Sequence, residues 1–183
     1  MNPVRAVVAL GANLGGPEAS VRRAFGELGE LPSTRLVARS ALYRTAPVGF
    51  LDQPAFVNAC ALVETALAPR ELLGELLAIE RRHGRVRDIP NGPRTLDLDI
   101  VLYGSAALHE PGLTIPHPRA HERAFVLAPL AHGVVLGPAA TMLSATALGC
   151  AFQGERLSRA QAAGSRRARA RVPRSRSSMT ARR

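Results

Sequence analysis

The densest run of polar side chains with a chemical spacing is Gly92-Pro93-Arg94-Thr95-Leu96-Asp97-Leu98-Asp99-Ile100. On a strand, Asp97 and Asp99 project to one face, because side chains alternate with a period of two. Two carboxylates about 7 Å apart at their Cα atoms repel unless a cation lies between them. Hard oxygen ligands suit Mg²⁺, which takes one or two carboxylates and leaves its other positions to water and phosphate. A second reading stays open on spacing alone: one Asp caps a turn and the other is merely exposed. Arg82, Arg85, Arg87 and Arg94 stand just before the pair, among Gly and Pro residues that permit close approach to a ligand. The guanidinium fork fits phosphate oxygens. Clustered arginines beside a carboxylate pair, with no covalent nucleophile, point to phosphoryl transfer by positioning and charge neutralisation. A solvated basic loop is the plain alternative.

Other side chains could join such a site. His117 stands between Pro116 and Pro118, and Arg123 follows closely. That histidine could donate to a phosphate oxygen or simply be satisfied within its loop. Asn58 is the polar residue in a strand of small and apolar ones, able to read a flat heterocycle or to bond neighbouring backbone. Phe56 and Phe125 are two of only seven aromatic residues.

These residues need elements to hold them. Val4 to Leu10 reads as a buried strand, and Pro17 opens a helix whose Val21, Ala24, Phe25 and Leu28 fall at helical spacing. Arg35 to Tyr43 predicts a second strand, 45–54 a loop, and Phe56 to Thr65 a third strand. Pro69 opens a second helix that Gly84 ends; 85–94 is a loop, and Thr95 to Tyr103 a fourth strand. The order β-α-β-β-α-β predicts an α+β fold, a ferredoxin-like sandwich with helices packed on an antiparallel sheet. Leu113 to Arg119 is a further extended piece and Glu122 to Ala131 a helix.

Charge divides the chain. Of its 24 basic residues, all Arg, 14 lie in residues 1–150 beside 13 acidic ones, whereas 151–183 holds 10 against Glu155 alone. The net charge of +10 therefore belongs almost wholly to the end of the chain. Residues 1–150 are expected to form one domain, and 151–183 a disordered basic tail. The lack of lysine excludes Schiff-base chemistry and the P-loop lysine. Two cysteines and the absence of a long apolar run predict a soluble cytoplasmic protein with no membrane partner. A rival function, RNA binding through the tail, lacks the exposed aromatic motif that RNA-binding sheets of this fold use.

Taken in order, Gly11-Ala12-Asn13-Leu14-Gly15, Tyr43 to Gly49, Asp52 to Asn58, Glu80 to Arg87, Gly92 to Ile100 and Leu113 to His117 resemble 6-hydroxymethyl-7,8-dihydropterin pyrophosphokinases over roughly residues 4–138. The resemblance implies transfer of pyrophosphate from ATP to the pterin hydroxymethyl group, with AMP released, in folate biosynthesis, by a monomer. It implies two Mg²⁺ ions on Asp97 and Asp99, phosphate contacts from Arg94, His117 and Arg123, and Arg85 and Arg87 closing over the reactants. Thr45, Val48 and Asn58 match the pterin-recognition wall, and Phe56 and Phe125 the aromatic pair around the pterin. Glu80, Leu73, Ile100 and Thr114 are implied near the nucleotide. The pattern departs at Asn91, where an aromatic is common, at Pro118, and at Phe56, which lacks a frequent hydroxyl.

Overall fold

The structure, a computed structural model, describes residues 2–85, 91–133 and 154–156. Strand β1 (Val4–Ala12) is the spine of an antiparallel sheet, with β4 (Phe56–Thr65) on one side and β5 (Asp97–Tyr103) on the other. β2 (Thr34–Arg39) and β3 (Tyr43–Thr45) both lie along β4, β2 at its C-terminal end and β3 at its N-terminal end. The single second strand expected at 35–43 is thus two strands. The break falls at Ser40, whose Oγ accepts the Cys60 N–H (2.9 Å) and donates to the Ala41 carbonyl (2.7 Å) in place of a regular ladder.

Helices α1 (Pro17–Gly29) and α2 (Pro69–Arg82) cover one face of the sheet. Each has proline in its first turn, where the missing N–H costs no hydrogen bond. In α2 the Glu71 carboxylate also accepts the Ala68 N–H (2.7 Å), as a capping glutamate does. Val21, Ala24, Phe25 and Leu28 of α1 and Leu72, Leu76 and Ile79 of α2 bury against Ala6, Val8, Leu10, Ala59, Ala61, Val63, Leu98 and Ile100.

The other face alternates with it. Val7, Cys60, Leu62 and Val101 pack beneath a third helix, α3 (Ala124–Gly133), through Val126 and Leu130. A single 3₁₀ turn, Ala120–Glu122, leads into α3, so the helix expected from Glu122 begins two residues later. β5 starts at Asp97 rather than Thr95, because the Arg94 carbonyl accepts the N–H groups of Asn13 and Leu14 instead of joining a ladder. A hairpin of β6 (Leu108–Glu110) and β7 (Leu113–Ile115) follows, of which only the second strand was expected. α3 covers only part of its face. The ends of β1, β4 and β5 beyond it stay open, and a cavity forms there.

Of the residues expected to form the tail, Gly154–Arg156 make a short strand, β8, beside β3; the remainder lies outside the described residues. No helix among the described residues is long and apolar enough to cross a membrane.

Leu76 lies fully buried between helix and sheet. Leu76→Ala is expected to cost about 2–5 kcal/mol of unfolding free energy, read from denaturant midpoints, because the site can only partly collapse.

Candidate active site

Period-two alternation along β5 sends Leu98 and Ile100 into the core beneath α1 and α2, and Asp97 and Asp99 to the open end of the opposite face. They line a cavity of about 370 Å³. Its rim comes from the end of β1, the segment after β3, the start of β4, Asn91 and Arg94, and the stretch from His117 to Val126. Ten of the residues singled out from the sequence line it: Asp97, Asp99, Arg94, His117 and Arg123 on the polar side, with Thr45, Val48, Phe56, Asn58 and Phe125.

The carboxylates are held by cations. Arg85, its side chain 9% exposed, bonds both Asp97 and Glu80, and Arg94 Nη1 reaches Asp97 Oδ2 at 2.5 Å. Arg123 Nη1 stands 3.9 Å from Asp99 Oδ2. The Asp99 side chain keeps 41% of its exposure, yet its recessed position raises its pKa above the usual carboxylate value. Withdrawal from water is the largest cause and the Asp97 charge adds to it, while His117, Arg123 and Arg85 pull the other way.

His117 is shifted down, chiefly by desolvation and against the pull of Asp99. Its Nδ1 accepts the Arg119 N–H (3.2 Å), so the neutral ring carries its proton on Nε2. A neutral imidazole of that tautomer is a hydrogen-bond donor.

The apolar walls are also tied to charge. The Arg94 guanidinium lies 5.3 Å from the Phe56 ring centre, and that of Arg123 lies 5.6 Å from Phe125. Asn58 is buried and donates from Nδ2 to Thr45 Oγ1 (2.8 Å), which fixes the amide plane. Its Oδ1 lies so near the end of β1 that a Cβ on Gly11 would come within 3.0 Å of it, so glycine at that position makes room for the amide.

Arg85 reaches Asp97 without lining the cavity, and four further expected residues stand elsewhere. The Glu80 side chain is buried behind the carboxylates, where Oε1 accepts the Leu98 N–H (2.8 Å) and bonds Arg85. Glu80 therefore supports the start of β5 and an arginine rather than lining the cavity. Ile100 points into the core on the far face, and Leu73 packs at the edge of that core. Thr114 sits in β7, its hydroxyl 3.2 Å from His109 Nδ1. Arg87 lies outside the described residues. Sequence reasoning gave no role to Asn13 and Gln53, which bond the cavity's rim together. Their presence in the motifs Gly11–Gly15 and Asp52–Asn58 was the available signal.

Asp97 and Asp99 are suited to a hard divalent cation, since they are carboxylates on one face of a strand, and the Asp97 charge adds to the desolvation that raises the Asp99 pKa. No group of three or more His, Cys, Asp or Glu gathers among the described residues. A metal here would draw its remaining ligands from water and phosphate, as Mg²⁺ commonly does.

A flat-walled pocket with a fixed amide at one side, and carboxylates and arginines at the other, belongs to an enzyme that moves phosphate groups. Residues 7–134 match the family model for 7,8-dihydro-6-hydroxymethylpterin-pyrophosphokinase, HPPK. The chain is 53% identical over 127 residues to the 2-amino-4-hydroxy-6-hydroxymethyldihydropteridine pyrophosphokinase of Pseudomonas aeruginosa, a match spanning 69% of this chain and 78% of that one. It is 46% identical over 127 residues to the Haemophilus influenzae enzyme of the same name, covering 69% and 79%. The chain belongs to the 7,8-dihydro-6-hydroxymethylpterin-pyrophosphokinase family, and is thus an enzyme of the diphosphokinase class. Among solved structures, wild-type Plasmodium falciparum HPPK-DHPS with pteroate aligns with a TM-score of 0.58 at 15% identity, over 79% of this chain. This chain spans 42% of that longer one, and the likeness establishes the shared fold.

The Asp99 shift has a consequence for stability. Between the ordinary carboxylate value of 3.8 and the raised folded value, the folded protein binds more protons at Asp99 than the unfolded chain does. Stability contributed there is complete below the ordinary value and is lost as pH rises through the raised one. Asp99→Asn, which cannot titrate, is expected to be more stable than the parent near neutral pH, with the advantage shrinking as pH falls toward 3.8. Urea midpoints across a pH series check this, and a pH-independent offset contradicts it.

Proposed function

We propose that this enzyme transfers the terminal pyrophosphate of ATP to the hydroxymethyl group of 6-hydroxymethyl-7,8-dihydropterin, releasing AMP, in folate biosynthesis. The observation that carries the reading is the convergence on one cavity of the Phe56 and Phe125 walls, the Asn58–Thr45 pair, and the Asp97, Asp99, Arg94, His117 and Arg123 cluster. A pterin is flat and polar-edged, so it calls for stacking faces and an amide held in a fixed plane. Phe56 and Phe125 supply the faces and Asn58 the edge contact. Thr45 and Val48 complete that wall. A triphosphate calls for cations, which Arg94, Arg123 and Arg85 supply, with Arg87 proposed to join them. His117 Nε2–H donates to a phosphate oxygen.

In the reaction, the hydroxyl oxygen forms a bond to the β-phosphorus of ATP. The bond from that phosphorus to the oxygen bridging it to the α-phosphate breaks. AMP departs with the bridging oxygen, and the hydroxyl proton is lost. Two Mg²⁺ ions held by Asp97 and Asp99 would neutralise the triphosphate and polarise the transferred group. Asp97 is within the same cluster and can accept the proton. The arginines bring a second effect: leaving Asp97 for phosphate exchanges one ion pair for another, so each cation stays paired throughout. The protein is proposed to act as a cytoplasmic monomer.

Incubation with ATP, Mg²⁺ and hydroxymethyl dihydropterin is expected to yield AMP and the pterin pyrophosphate in equal amounts, separated by chromatography. ADP as the nucleotide product, or no turnover, defeats the proposal. Asp97→Ala and Asp99→Ala are each expected to lower kcat by at least about a hundredfold, the scale of losing an electrostatic group at the reacting centre. Circular dichroism should show both variants folded.

A further inference from the structure

Asn13 follows the end of the β1 spine without lining the cavity, and it is 4% exposed. Its carboxamide is bonded on both sides. Oδ1 accepts the Arg94 N–H at 2.7 Å, and Nδ2 donates to the Pro54 carbonyl and to Gln53 Oε1, each at 3.0 Å. The backbone takes part as well, since the N–H groups of Asn13 and Leu14 both donate to the Arg94 carbonyl, at 3.0 and 3.2 Å. Arg94 is therefore gripped through its N–H and its carbonyl by one neighbour 81 residues away. Gln53 extends the join, its Nε2 donating to the carbonyls of Asn91 (3.0 Å) and Phe50 (2.6 Å).

The two segments tied together supply different parts of the pocket. Pro54 is two residues ahead of Phe56, the ring wall, while Arg94 carries the guanidinium on Asp97. We propose that Asn13, acting with Gln53, is the positioning residue that sets the ring-holding segment 50–56 and the phosphate-handling Arg94 in one fixed relation. The inference rests on the pterin pyrophosphokinase reading for the identity of the two ligands. The chemistry requires a carboxamide of this length, because one acceptor and two donors must diverge from a single short side chain. Aspartate offers acceptors only. Alanine leaves the Arg94 N–H and the Pro54 carbonyl without this partner beside a buried position, both bonds being part-buried. The Arg94–Phe56 contact carries the alignment into the cavity, since a shift of either segment moves the guanidinium off the ring.

Asn13→Asp separates the two parts. It keeps the acceptor for the Arg94 N–H but sets a carboxylate oxygen against the Pro54 carbonyl. The expected result is a rise of about tenfold in KM for the hydroxymethyl dihydropterin, the scale of losing the part-buried Nδ2 hydrogen bonds to Pro54 and Gln53, with the Kd of a non-hydrolysable ATP analogue changed less than about threefold. Gln53→Ala, at a half-buried position, provides a variant that keeps Asn13 and its hold on Arg94. It is expected to raise the pterin KM about threefold while kcat and Tm stay near the parent values. Calorimetry of pterin binding in the presence of the analogue gives the same affinities without turnover. A lowered Tm with both affinities unchanged in the two variants would reduce Asn13 to a purely structural role and overturn the proposal. Equal losses for pterin and nucleotide in Asn13→Asp would overturn it too. Failure of the parent enzyme to release AMP would instead defeat the pyrophosphokinase reading, and the two binding affinities would still decide the positioning role.

Discussion

Two like charges on one strand, Asp97 and Asp99, are the constraint around which the rest is arranged. Side by side at the open end of a sheet face, they repel each other unless cations stand close. Arg85, Arg94 and Arg123 provide these in the protein alone. Those arginines need their own supports, which explains Glu80. A carboxylate buried in the helix-covered layer is costly unless paired, and Glu80 is paired with Arg85 while also accepting the Leu98 N–H. The charge pattern thus runs through the sheet, from a buried acid, through an arginine, to the carboxylates at the cavity.

The same layering sets the shape of the site. α1 and α2 seal one face with large apolar side chains, and the sheet becomes a rigid floor. α3 and the turn before it close only part of the other face, and the gap they leave is the cavity. Phe125 and Arg123 come from the start of that turn-and-helix segment, and Phe56 and Asn58 from the start of β4. The aromatic walls therefore stand on separate elements that meet across the floor, a placement that suits a flat ligand.

Much of this was legible in the residue order, for physical reasons. Hydrophobic period distinguished the strands from the helices, and the spacing of Asp97 and Asp99 put them on one face. The motifs also carried the residues that line the cavity. Other features depend on contacts between distant segments. The break at Ser40 comes from a side-chain bond to Cys60, and nothing in the local run of apolar residues announces it. Glu80 and Ile100 were expected beside the nucleotide, but the packing of α2 against β5 takes Glu80 to the Leu98 N–H and Arg85, and Ile100 into the core. Asn13 and Gln53 stand in visible motifs, yet their partners lie about 40 and 80 residues away, beyond any local pattern.

The alternation in β5 also limits how this chain can change in length. Leu98 and Ile100 fill the core while Asp97 and Asp99, one step out of phase, face the cavity. Inserting or deleting a single residue ahead of Leu98 within the strand would swap the two sets, turning carboxylates into the apolar layer and leucine toward the ligand. Packing and chemistry would fail together. Substitutions can be tested one at a time by descent, but the reading frame of this strand is inherited whole.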